Sequence, residues 1–301
     1  MIDAAEQEFC GETKGWESWR SLLLRIRYRE VLILQGPPLM GAALSLGPWT
    51  GASLVSIGIL FFAGFLLIAH IWSLNDWADL PAGRCNPMLG LSLSLLVVSM
   101  ALFACLGRTT LLIAIGVALL GFVYSHPAIN AKGKPVFSSL THLAGGLLHF
   151  LLGYSVFSAI GLKAVMTASF FTLVFTAGHA TQEVQDYEDD RFKGIRTNAV
   201  VFGKTAVFIA AFVCFALAYG DFALLSLSGI LPPRLWLIAV ALFPLHGHWS
   251  VDALRTGLGP DCLRRLRSSY RVLFILIGIA LASGLFAKDL YEKFANVFPH
   301  R

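Results

Sequence analysis

Long apolar stretches decide what this chain can fold into. Leu91 to Leu106 and Thr109 to Tyr124 run apolar without the every-other-residue alternation of a membrane barrel, and further stretches of similar length flank them. A segment crossing about 30 Å of hydrocarbon as a helix needs roughly 20 apolar residues, and a helix satisfies all its backbone hydrogen bonds internally. Composition agrees. The 301 residues are 56% hydrophobic and 14% charged, with mean hydropathy +0.71, where a soluble domain carries about 25% charged residues. The sequence therefore predicts an all-α, polytopic membrane bundle of about nine transmembrane helices.

The nine expected spans are 30–47, 51–74, 89–106, 109–125, 138–160, 164–185, 204–228, 231–251 and 270–287. Gly36-Pro37-Pro38 should kink the first and Pro244 the eighth. Gly145, Gly146 and Gly153 allow close helix approach. Residues 1–29 read as a polar tail and an interfacial helix, in which Trp16, Trp19 and Leu22 to Leu24 alternate with arginines. Residues 30–290 form one transmembrane domain and 291–301 a short tail. The acidic start (Asp3, Glu6, Glu8, Glu12) gives no cleavable signal peptide. Cys10, Cys85, Cys105, Cys214 and Cys262 have no CxxC or metal-type spacing and read as free thiols.

The net charge of +5 records topology rather than a nucleic-acid partner. Of 23 basic residues, only Arg108, Lys163, Arg234, Lys288, Lys293 and Arg301 fall outside the N-terminal tail and the loops after even-numbered spans. By the positive-inside rule the richer side is cytoplasmic, which places a multi-pass protein in the cell's inner membrane with its long loops inside.

Two acidic clusters close the second and sixth spans on that side: Asn75-Asp76-Trp77-Ala78-Asp79, and Asp186-Tyr187-Glu188-Asp189-Asp190. Carboxylates beside a bilayer are expensive, which favours a functional reading. Asn75 and Asp79, and Asp186 and Asp190, are four apart and share helix faces. Like charges so placed repel unless a cation lies between them, and hard oxygens at this spacing suit Mg2+, which binds phosphate oxygens in turn. The plainer readings are a helix cap for the first cluster and a solvated loop for the second. His179, Gln182 and Glu183 extend the second cluster with helical spacing. Arg191 and Lys193 could grip phosphate directly. Lys132, Lys134 and Arg84 read either as point-charge diphosphate ligands or as topology signals.

These clusters resemble the motifs of the UbiA superfamily of intramembrane prenyltransferases. The family's first motif, N-D-x-x-D-x-x-x-D, is matched by Asn75, Asp76 and Asp79; its second, D-x-x-x-D, by Asp186 and Asp190, with Arg191, Gly194 and Thr197 following in step. Val201-Phe202-Gly203-Lys204 resembles the lead-in to the family's seventh span. Two departures stand out. Gly83 occupies the place of the last aspartate of the first motif, and Ala128 that of a lysine after Tyr124, so that Lys132 or Lys134 would substitute.

The resemblance implies a UbiA-like fold and transfer of an isoprenyl group from a prenyl diphosphate to a lipophilic or aromatic acceptor, in contact with membrane lipid. Asn75, Asp76, Asp79, Asp186 and Asp190, with Asp189 as an added acid, would hold Mg2+, the aspartates Asp76, Asp79, Asp186 and Asp190 being catalytic through it. Arg84, Lys132, Lys134, Arg191, Lys193 and Tyr124 would meet the diphosphate. A terpene cyclase on the same fold is the nearest alternative. A secondary transporter is the second, but its acids belong at mid-membrane. Asp221 and Asp252 come nearest to that and sit by span ends. His126 is a candidate base, whereas His142 and His149, on one face of the fifth span, read as contacts between helices.

Overall fold

The computed structural model describes residues 26–79 and 86–297, and these are all helix, turn and loop. The helices, numbered in order, are α1 (Tyr28–Ile33), α2 (Gly36–Ser45), α3 (Gly51–Ala78), α4 (Asn86–Leu106), α5 (Arg108–Ser125), α6 (Phe137–Tyr154), α7 (Leu162–Gln185), α8 (Tyr187–Phe192), α9 (Asn198–Phe202), α10 (Lys204–Leu227), α11 (Trp236–Arg255) and α12 (Pro260–Val297). Among the described residues seven of them, α3, α4, α5, α7, α10, α11 and α12, are long and apolar enough to cross a membrane. The interfacial helix expected before residue 26 and the loop holding Arg84 and Gly83 lie outside the described residues.

The first expected span is broken rather than kinked. The six residues of α1 and the ten of α2 are separate helices. Pro37 and Pro38 open α2, where their missing N–H groups cost nothing, but they cannot donate to the carbonyls of Ile33 and Leu34, so no single helix runs through. The half-helix α2 is held by close packing. A Cβ on Gly41 would strike the Phe150 carbonyl, and one on Gly153 the Pro38 carbonyl. Glycines at both places let α2 and α6 touch backbone to backbone. Gly146 does the same for α6 and α7, where a Cβ would come within 3.1 Å of Thr172 Cα.

α6 takes the place of the fifth span, but Ser138, Ser139, Thr141, His142 and His149 dilute its apolar character. α12 begins at Pro260 rather than near residue 270. Its added turns carry Arg267, which bonds Gln182 and Gln185, and Arg271 just beyond them pairs with Glu30 at 2.6 Å. Pro244 lies inside α11.

The apolar core falls into two main regions. Leu60, Leu67, Phe103, Val117 and Leu152 pack α3 to α6 together. Phe170, Phe215, Phe222, Leu263, Tyr270 and Ile277 join α7, α10 and α12. The polar groups of α3, α5, α6 and α7 face a cleft between them.

Candidate active site

Both acidic clusters sit at helix ends. Asp79 caps the C-terminus of α3 and Asp186 that of α7. A helix C-terminus carries partial negative charge from its unpaired carbonyls, so the Asp79 carboxylate is at the unfavourable pole of α3, whereas Asp186 closes α7 and also precedes the short α8 that bears Asp189 and Asp190 in its first turn. The two ends border one cavity of about 330 Å3. Of the residues singled out in sequence, Asn75, Asp79, Tyr124, Lys132, Asp186, Asp189, Asp190 and Lys193 line it.

Cations of the chain itself meet the acids. Arg27 reaches Asp76 at 3.1 Å and lies 4.5 Å from the centre of the Trp72 ring. Asp76 thus joins the cavity through Arg27, which lines it. Lys132 Nζ donates to Asn75 Oδ1 at 3.2 Å and pairs with Asp79. Lys193 pairs with Asp189 at 2.8 Å. Lys134 and Arg191 are exposed and are not part of the cavity wall.

Local geometry decides which lysine turns inward. Asn130 adopts a left-handed conformation (φ 47°) ahead of a single 3-10 turn, Ala131–Gly133, which carries Lys132. Val136 also has positive φ, 66°, a costly setting for a β-branched residue. Its N–H donates to Asn198 Oδ1 at 2.6 Å, so α9 pins the far end of the loop. On the other side, Arg267 holds Gln185 at 2.9 Å and Gln185 Nε2 donates to Asp186 Oδ1 at 3.2 Å.

Burial, and then the charge of Asp186, push the Asp190 carboxyl up to about 6. The bond and charge of Asp189 raise the Lys193 ammonium. Among the described residues no three His, Cys, Asp or Glu side chains converge as a ready metal site. The donor set nevertheless suits a hard divalent cation: one amide oxygen and several carboxylates, with Asp186 and Asp190 in mutual repulsion.

Deeper groups that the sequence grouped with the acids without giving them a role, or read differently, complete the site. Glu183, 4% exposed, receives Asn198 Nδ2 at 3.1 and 2.9 Å, Ser138 Oγ at 3.0 Å and His179 Nε2 at 3.0 Å. The rings of His142 and His179 stack with centroids 3.4 Å apart and planes 4° from parallel, and Tyr124 meets His142 edge-on at 4.8 Å. His142 makes the contact between helices expected of it through its stack on His179 of α7, while its Nδ1–H goes to the Ser138 carbonyl of its own helix at 3.0 Å. His149 does not: it is 2% exposed, lines the cavity, and its Nε2 has no protein partner. The helical spacing of His179 and Glu183 ahead of Asp186 was the available signal for this cluster. Nothing in the sequence pointed to Arg27 as the partner of Asp76.

His126 sits elsewhere. With Trp77, His70 and Phe122 it borders a second, apolar cavity of about 490 Å3 between α3, α4 and α5, and its ring packs on Phe122 at 4.5 Å. It is not among the residues around the acids.

The fold is similar to several solved structures. A UbiA homolog from Archaeoglobus fulgidus bound to DMAPP and Mg2+ shares 18% identity, covering 87% of this chain and 98% of that one, with TM-score 0.66. A digeranylgeranylglyceryl phosphate synthase shares 17% identity over 88% and 98%, with TM-score 0.65. A UbiA homolog from Aeropyrum pernix K1 shares 18% identity over 87% and 98%, with TM-score 0.62. No curated protein matches the sequence. The model of the UbiA prenyltransferase family matches residues 34–275, and so this multi-pass membrane chain belongs to the UbiA prenyltransferase family.

Proposed function

We propose that the chain transfers a prenyl group from a prenyl diphosphate to a lipophilic or aromatic acceptor within the membrane, with Mg2+. One observation carries this reading: two acidic sets far apart in sequence border a single cavity, between basic side chains at its rim and apolar walls from Ile68, Ile71, Val117 and Leu120. Family membership supports it. So do the similar Archaeoglobus fulgidus structures bound to DMAPP or GPP with Mg2+. The loops bearing the acids face the cytoplasm, where the basic residues concentrate.

Asn75, Asp79, Asp186, Asp189 and Asp190 would hold Mg2+, with Asp76 close by. Bound there, Mg2+ screens the charge of the diphosphate and improves it as a leaving group. Lys132 and Lys193 exchange their carboxylate partners for phosphate oxygens and act as point charges. Arg27 offers the same oxygens a planar fork. Tyr124, Trp72 and Phe175 line the cavity and would surround an allylic carbon that gains positive charge as its C–O bond breaks. The apolar walls keep water from that carbon and receive the prenyl tail. Acids at helix ends rather than mid-helix leave the transporter reading without its main feature.

Protein in lipid nanodiscs, given Mg2+ and radiolabelled geranyl diphosphate with membrane lipid extract, 4-hydroxybenzoate or 1,4-dihydroxynaphthalene, should release diphosphate and label an organic product. Asp186→Ala should abolish both while eluting as wild type in size exclusion. Normal activity in Asp186→Ala removes the mechanism. A cyclic hydrocarbon formed without acceptor reassigns the chain as a cyclase.

A further inference from the structure

One to two turns before Asp186 on α7 lies a buried polar group for which the diphosphate has no use. Glu183 is surrounded by donors from three elements: Ser138 on α6, His179 on α7 and Asn198 on α9. Its bond fixes the state of His179. With Glu183 Oε1 3.0 Å from Nε2, that nitrogen carries the proton. Ser138 Oγ, 2.8 Å from the same nitrogen, donates its own proton to Glu183. Nδ1 of His179 is left as a basic lone pair with no protein partner among the described residues, on a residue that lines the cavity. The ring is locked in orientation as well as in tautomer. His142 lies flat against it, and His142 is itself fixed by the Ser138 carbonyl and backed by Phe175 at 5.7 Å.

A carboxylate that holds one imidazole nitrogen and leaves the other free is the arrangement of a general base. We infer that His179 takes the proton of the acceptor, with Glu183 as the positioning residue that orients it and stabilises the imidazolium. This rests on the prenyl-transfer reading above. It requires an acceptor whose nucleophilic atom bears a proton: a hydroxyl oxygen, or a ring carbon activated by one. The nucleophile's electron pair forms the new bond to the allylic carbon as the carbon–oxygen bond to diphosphate breaks, its electrons leaving with the diphosphate. The proton on the nucleophile passes to His179 Nδ1, and its bonding pair stays with the acceptor. Nε2–H then points the new positive charge at Glu183. When product leaves, His179 returns the proton to water.

The test uses the full chain in nanodiscs with Mg2+, geranyl diphosphate and whichever of the three acceptor sources the wild type labels. His179→Gln keeps an amide N–H for Glu183 but has no base. It should bind geranyl diphosphate as tightly as wild type and lose about 100-fold in transfer kcat, the scale of one general base. His179→Ala should lose a similar factor and regain activity with added imidazole. Glu183→Gln should lower kcat with KM for geranyl diphosphate unchanged. Wild-type transfer by His179→Gln overturns the assignment. So does a loss in His179→Ala that imidazole does not restore while the thermal midpoint stays at the wild-type value. A wild type that releases no diphosphate with any acceptor overturns the transfer reading itself, and the base falls with it.

Discussion

Replacing Asp190 by Asn should stabilise the metal-free protein, an unusual direction for a change at a candidate catalytic carboxylate. Burial and the neighbouring Asp186 push the Asp190 carboxyl from 3.8 up to about 6. The folded state therefore binds this proton more tightly than the unfolded chain does, and ionising Asp190 at pH 7.5 works against folding. A shift of about two pH units corresponds to about 3 kcal/mol, but Asp190 is only half-buried and solvent screening brings this to about 1–2 kcal/mol. With an unfolding entropy of about 2.1 cal/mol/K per residue, a chain of this size gains about 2 °C. The sign also sets the pH dependence. The penalty is full above pH 6, fades as the pH falls toward 4, and vanishes once both states are protonated. Thermal unfolding in detergent with EDTA, followed by tryptophan fluorescence, should show Asp190→Asn above wild type at pH 7.5 and level with it near pH 4. Mg2+ should then raise the wild type more than the variant. An Asp190→Asn protein less stable than wild type at pH 7.5, or a gap that does not close on acidification, would refute the argument.

Other perturbations separate the parts of the site. Lys132→Ala removes the cation shared by Asn75 and Asp79 and should raise KM for geranyl diphosphate several-fold, with only a small change in thermal midpoint because the Asp79 side chain is 51% exposed and stays hydrated without its partner. Asn198→Ala strips two hydrogen bonds from the Glu183 carboxylate and one from the Val136 N–H. A cost of about 1–3 kcal/mol should appear as a lower thermal midpoint. Gly153→Ala drives a Cβ into the Pro38 carbonyl, a backbone atom that cannot step aside. It should cost about 1–3 kcal/mol and broaden the size-exclusion peak.

The acids were legible in the sequence because carboxylates are rare in an apolar chain and costly beside a bilayer, so Asp79 and Asp186 announce themselves by place alone. Their partners were not. Arg27 lies 49 positions from Asp76 and stands among arginines that look like topology signals. Lys132 and Lys134 were equivalent candidates in sequence. The choice between them rests on the positive φ of Asn130, a residue type that tolerates the left-handed region, and on that of Val136, which a β-branched residue does not announce.

The same division holds for the helices. Length and apolar content located the spans, since each is a local property of the chain. The break between α1 and α2 depended on pairing. Pro37 and Pro38 alone permit either a kinked helix or two pieces. Two pieces win because Gly41 and Gly153, distant in sequence, let the short α2 lie backbone to backbone on α6, and that packing replaces the support a continuous helix would have given. A chain with the same prolines but a larger residue at position 153 would hold α2 off α6. Leu34, at the end of α1, and Arg27 just before it both line the cavity, so the close approach of two glycines deep in the bundle is coupled to the position of a cation at its rim.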